Sequence, residues 1–239
     1  MAKALTDYKA LTFDCYGTLI DWESGIWDAL QPLITANENT LDRDTALLAF
    51  AEAESAQEAA TPDMLYPKIL ENVHRALAKR FDLQTNIDRD RTFGNSVPHW
   101  PAFADTADAL RILKRHFKLV ILSNVNREGF AASSRKLGVE FDAIYTAQDI
   151  GSYKPAPANF DYMLTHLQKD LGLGKDDILH TAQSLFHDHV PARNSGLACA
   201  WIDRQNLDGG GSWGATALVT DRPDVDFRFA TMMDMARAL

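Results

Sequence analysis

A chain of 239 residues with 46% hydrophobic and 24% charged residues has the apolar mass for a well-formed core, and it is neither disordered nor fibrous. Its formal net charge of -9 offers no basic field to nucleic acid or to an anionic membrane, so neither is an expected partner. An anionic small molecule would have to be drawn in by local cations or oriented backbone amides.

The two cysteines, Cys15 and Cys199, lie in apolar runs and read as reduced core thiols. The N-terminal stretch lacks the apolar segment of a secretory signal, and no apolar run reaches bilayer length. A cytoplasmic setting is the expectation.

The first strand lies in "KALTFDCY", a short apolar run closed by "GT", as in a buried parallel strand. Residues 42–81 then change to two helical stretches, "DRDTALLAFAEAESAQEAA" and "MLYPKILENVHRALAKRF", separated by "TPD", where Thr61 or Asp63 would cap the second. These read as an inserted helical unit, and "NSVPHWPAF", with two prolines, as the linker returning from it. Beyond the linker, helix and strand take turns: "ADTADALRILKRH", "KLVILS", "REGFAASSRKLG", "AIYTA", "PANFDYMLTHLQKDL", "DILHTA", "HVPARNSG", "ACAWID". This alternation predicts an α/β fold, a doubly wound Rossmann-like parallel sheet with an inserted helical cap domain. The core takes residues 1–20 and 97–239 and the cap 21–96. The glycine-rich "DGGGSWG", residues 208–214, reads as a surface loop.

Ligands of such sheets bind beyond the carboxyl ends of the strands. Four places along the chain put polar groups there: Asp14 after the first strand, Ser123 and Asn124 at the end of "LVILSN", Lys154 in "AQDIGSYKPAP", and Asp188 closing "ILHTAQSLFHD". A buried carboxylate is costly without a partner, and a cation within about 4–6 Å would hold Asp14 ionised. Lys154 is the candidate, and a poorly solvated carboxylate so held can act as a nucleophile. His187 and His189 flank Asp188, but neighbours at i and i+2 diverge on a helix and no third strong ligand stands nearby, so no metal site is expected.

"DCYGTL", "LSN" and "YKPAP", in this order at strand ends, resemble the motifs of the haloacid dehalogenase superfamily over nearly the whole chain, and the helical insertion resembles its cap. Magnesium-dependent phosphatases of that superfamily carry a second aspartate two positions after the nucleophile, where this chain has Tyr16, and further acidic residues around the fourth motif, where it has Gln183. Both departures resemble the L-2-haloacid dehalogenase branch, which needs no metal or other cofactor. The resemblance implies that Asp14 displaces halide from a 2-haloalkanoic acid and forms an ester that water then hydrolyses. It further implies that Thr18 and Ser123 orient Asp14, that Lys154 neutralises local negative charge, and that Asp188 orients Lys154 or the water. Tyr16 and Cys15 would border the substrate, and Asn124 would lie near the leaving group.

The chain departs from that branch too. The cap stretch around "LLAFAEAES" has no arginine to receive the substrate, Arg43 lying only upstream; Phe160 replaces an aromatic hydroxyl; and Gln183 and Leu185 replace a serine and an asparagine. Arg127, His187 and His189 are the expected replacements for the lost anion-binding groups, and a haloacetate is a compatible substrate. A magnesium-dependent phosphatase and a catalytically silent anion-binding relative are the alternatives. Relatives are often dimers, which makes a homodimer the default.

Overall fold

The computed structural model describes the chain except residues 1, 2, 212, 213, 216 and 218. Five apolar runs form strands where the sequence places them: β1 (Ala10–Phe13), β2 (Lys118–Ser123), β3 (Ala143–Thr146), β4 (Ile178–Ala182) and β5 (Ala198–Ile202). A three-residue strand, β6 (Phe227–Phe229), is too short to be announced by any pattern. Among the described residues these pair into one parallel sheet in the order β3-β2-β1-β4-β5-β6. The fold is therefore α/β and doubly wound, with its reversal of winding between β1 and β4. Register brings the strand ends level, since Phe13 pairs with both Ile121 and Thr181, and whatever follows β1, β2 and β4 meets at one edge of the sheet.

β1 and β4 are buried along their whole length, as strands covered on both faces must be. Side chains alternate between the faces: Leu11, Phe13, Leu119 and Ile121 enter one core cluster, and Ala10, Val120, Leu122 and Ile178 enter another. Helices α5 (Thr106–Leu113) and α6 (Arg127–Leu137) cover the first face, and α8 (Ala158–Leu171), preceded by the short α7 (Ala147–Ile150), covers the second through Phe160, Met163 and Leu167. A five-residue α9 (Val190–Asn194) precedes β5, and α10 (Met232–Arg237) packs on α5.

Between β1 and β2 the chain inserts four helices, α1 (Trp22–Ala36), α2 (Arg43–Ala60), α3 (Tyr66–Arg80) and α4 (Ile87–Gly94). Asp21, Asp42 and Asn86 cap α1, α2 and α4 by accepting from backbone amides. Neither residue expected to cap α3 does so. Leu65 stands at its N-cap with Pro67 in the first turn, and Thr61 instead closes α2, its hydroxyl donating to Gln57 O at 2.9 Å. The chain leaves and re-enters the sheet through paired linkers: Asp21 N donates to Pro101 O at 2.8 Å and Phe103 N to Leu19 O at 3.2 Å. Trp100, buried at this junction, meets Tyr16 and Tyr66 edge-on. No helix among the described residues is long and apolar enough to cross a membrane.

Candidate active site

Asp14 opens a turn folded back on itself: Leu19 N and Ile20 N both donate to Cys15 O, and Gly17 N donates to Ile20 O. Gly17 has φ +97°, a conformation glycine adopts freely, and a Cβ there would lie 3.0 Å from Gln183 Oε1. The turn brings Thr18 beneath Asp14, its hydroxyl donating to Asp14 Oδ2 at 2.8 Å while accepting from Gln183 N at 2.9 Å. Arg204 fixes the turn from behind, donating to Thr18 O at 3.0 and 2.8 Å and to Asp105 at 3.0 Å.

Lys154 answers the buried carboxylate. The residue is 2% exposed, and its ammonium donates to Asp14 Oδ1 at 3.0 Å, Asp188 Oδ1 at 2.6 Å and Leu122 O at 3.0 Å, so each of its three hydrogens has an acceptor. Asn124 holds the lysine backbone from both sides, accepting from Lys154 N at 2.7 Å and donating to Lys154 O at 3.0 Å. Burial alone would lower the lysine pKa, but the two carboxylates outweigh it and hold the group as ammonium. Burial raises the Asp14 carboxyl above its usual value, against the pull of Lys154 and Thr18.

Asp188 stands on a single wide π-turn, Leu185–His189, begun by Ser184, whose hydroxyl accepts from His187 N at 3.0 Å. Burial opposes its charge, but Lys154 and His180 overcome this and hold the carboxyl well below the usual range. His180 donates from Nε2 to Asp188 Oδ1 at 3.1 Å, its Nδ1 lying 2.8 Å from Thr12 Oγ1. Among the described residues, Asp188 Oδ2 is buried without a partner, as is Ser123 Oγ.

These groups face a cavity of about 90 Å³, room for a molecule of a few heavy atoms. The sheet side contributes Asp14, Tyr16, Asn124, Lys154, His187 and Asp188, and the insertion contributes Trp22, Glu54, Glu58 and Tyr66. Burial and nearby carboxylates push the Tyr66 hydroxyl up; it donates to Glu54, whose own carboxyl burial raises to about 7. Burial together with Glu54 carries Glu58 well above the ordinary value. Burial also raises the Tyr16 phenol well above its usual range, and its oxygen pairs with Ser133 Oγ at 3.1 Å.

Several expected site residues lie elsewhere. Arg127 opens α6 and pairs with Asp149 on the surface, its side chain 65% exposed and outside the cavity. Cys15 is wholly buried because the turn after β1 aims it into the core. Ser123 is buried at the end of β2 and makes no bond to Asp14, which leaves Thr18 as the hydroxyl that orients it. His189 is a core histidine bonded to Ala182 O at 2.9 Å, and Phe160 packs edge-on against His180. Burial lowers His187 and His189 to about 4, so neither supplies a cation at neutral pH. Arg43 reaches Ser24, outside the cavity. Part of the glycine-rich loop expected over 208–214 lies outside the described residues.

Sequence reasoning passes over His180, Arg204, Glu54 and Glu58. Only the two glutamates left a signal, an i, i+4 spacing in "EAESAQEA" that puts both on one helix face.

The profile of a family described as haloacid dehalogenase-like hydrolase matches residues 8–180. A Pseudomonas putida protein named (S)-2-haloacid dehalogenase is 24% identical over 207 residues, covering 84% of this chain and 87% of the relative. Among solved structures, an L-2-haloacid dehalogenase from Xanthobacter autotrophicus with chloropropionic acid covalently bound superposes with a TM-score of 0.76 at 18% identity, over 96% of this chain and 97% of that one. A magnesium-bound HAD-hydrolase from Bacillus subtilis superposes with a TM-score of 0.74 at 17% identity, over the same shares of each chain.

Proposed function

The chain belongs to the haloacid dehalogenase-like hydrolases, and from that premise we propose that it hydrolyses the carbon–halogen bond of a short 2-haloalkanoic acid through an ester on Asp14. One observation carries the reading: Asp14 and Asp188 share a single buried ammonium, and the position two residues after Asp14 holds a phenol paired with Ser133, not a carboxylic acid. A leaving alcohol or amine needs a proton from such an acid, whereas halide departs without one. The small cavity favours a substrate of haloacetate size, and the Pseudomonas relative's name points to the same substrate class.

In this reading Asp14 attacks the carbon bearing the halogen. The new C–O bond forms as the halide leaves with the bonding pair, and Lys154 and Thr18 keep the carboxylate aligned. Water then adds to the aspartyl carbon and the 2-hydroxy acid is released. Asp188 Oδ2, which has no partner among the described residues, is an acceptor available to orient that water.

The fold neighbour from Bacillus subtilis binds magnesium, and the donor set here does not fit that ion. Both Asp14 oxygens and Asp188 Oδ1 are bonded to Lys154, Thr18 and His180, and Gln183, which lines the cavity, offers an amide where the resemblance to magnesium-dependent phosphatases implies a carboxylate. Among the described residues, no three His, Cys, Asp or Glu groups are arranged to hold a metal.

The test is a single turnover of chloroacetate in H₂¹⁸O with enzyme in excess. Label is expected in the Asp14 carboxylate and unlabelled oxygen in the glycolate. Label passing directly into glycolate overturns the ester mechanism, and absence of chloride release overturns the substrate.

A further inference from the structure

The cavity confronts an anion with an unusual balance of charge. Among its described lining residues, Asp14, Glu54, Glu58 and Asp188 are acidic, Lys154 is the ammonium already shared by two of them, and His187 is neutral. A carboxylate substrate cannot enter beside four charged carboxyls and one committed cation unless some of those carboxyls carry protons.

Glu58 has the geometry for this. It is 7% exposed on α2 and its Oε2 accepts from Asn124 Nδ2 at 3.3 Å. No described residue bonds its Oε1. Through Asn124 it is tied to the backbone of the same lysine that holds Asp14. The titratable groups around it are Glu54 on its own helix, Tyr66 on α3, Tyr153 and Lys154 ahead of α8, and Asp14, Tyr16, His187 and Asp188 on the opposite wall. Burial and Glu54 oppose a negative charge on Glu58 and make the case for protonation, whereas Lys154 and the Asn124 hydrogen bond favour the charge.

We infer that Glu58 takes the place of a cationic anion receptor: as a neutral carboxylic acid it donates from Oε1 to the carboxylate of the substrate. This rests on the dehalogenase reading for the substrate's identity but not for its own test. An acid-to-carboxylate hydrogen bond is charge-assisted and strong. It exists only while Glu58 keeps its proton, so anion affinity is linked to pH. Where the free protein has lost that proton, binding must take it up again, and affinity falls by up to about tenfold per pH unit.

The probe is glycolate, the unreactive product of a haloacetate, titrated calorimetrically into the whole chain between about pH 6 and about pH 10. Affinity of the unmodified protein is expected to fall toward alkaline pH. Above about pH 8, where Glu54 is already ionised, the fall should vanish in Glu58→Gln, which donates at every pH, and persist in Glu54→Gln. An undiminished fall in Glu58→Gln overturns the assignment, as does failure of glycolate to bind the unmodified protein at any pH. Carboxyl ¹³C NMR of the unmodified protein supplies a reading without mutation: the Glu58 resonance should titrate at higher pH with glycolate bound, and an unmoved titration overturns the assignment. Chloride release from chloroacetate is assayed separately. Its absence removes the dehalogenase reading and leaves the glycolate result to decide Glu58.

Discussion

Lys154 has an acceptor for each of its hydrogens, and those acceptors define its role. Leu122 O anchors it to the sheet, and Asp14 and Asp188 share what remains of its charge. Lys154→Met would leave two carboxylates buried without their cation. Removing one partner of a buried pair costs about 3–5 kcal/mol, so urea unfolding should show a loss of that order, partly restored by adding Asp188→Asn. Chloride release should fall about 10²–10³-fold or more and should not recover in the double variant. The same assays on Lys79→Met, an exposed lysine of α3, should show little change, and equal effects would take Lys154 out of the site. Asp14 is legible in the sequence because it closes an apolar run and Asp188 because it follows one closely, while Lys154 is legible from "YKPAP" ahead of a helix, and the loops after strands of a parallel sheet converge wherever the strands sit in sequence. Arg127 shows the limit of that logic. Adjacency to a motif places a backbone, but a long side chain at a helix start turns to the nearest carboxylate, here Asp149.

At the scale of the element, α2 carries the least expected feature, two glutamates one turn apart facing the cavity. The Glu54 carboxyl titrates at about 7 in the folded chain against 4.5 for the ordinary group, with burial the cause. Between those values the folded chain holds the extra proton, so stability declines as pH rises from 4.5 to about 7 and stays reduced above that. The decline is on the order of 3 kcal/mol. Glu54→Gln keeps an acceptor for Tyr66 and removes the titration. Its melting temperature should match that of the unmodified chain near pH 4.5 and exceed it at pH 8, and a pH-independent difference would place Glu54 in open solvent. In the sequence this stretch reads as a solvated face because nothing local distinguishes a glutamate turned to water from one turned to a cavity. Other elements escape reading for other reasons. Gly25 and Pro32 interrupt the helical signal of α1, half of α4 is charged with Phe93 its one large buried side chain, and β6 has three residues.

Across the whole molecule, the insertion and the sheet are joined by more than their two linkers. Leu30, Phe50, Ile69 and Leu70 of the insertion belong to one continuous apolar cluster with Leu11, Phe13, Leu119 and Ile121 of the sheet, bridged at the junction by Ile20, Val97 and Trp100. Trp100 also touches Tyr16 and Tyr66, which line the cavity from opposite sides, so the packing that holds the two parts together also shapes the site. A cluster shared in this way cannot be lost from one part without exposing apolar surface on the other, the physical basis of a single cooperative transition. We therefore expect urea unfolding followed by the fluorescence of the five tryptophans, Trp22, Trp27, Trp100, Trp201 and Trp213, to coincide with the far-ultraviolet circular dichroism. Native-state hydrogen exchange should likewise give α1 to α4 opening free energies close to those of β1, β2 and β4. If α1 to α4 exchanged through a much lower opening energy while the sheet stayed protected, the insertion would be an independently melting unit, and Tyr66, Glu54 and Glu58 would be brought to the cavity only when it docks.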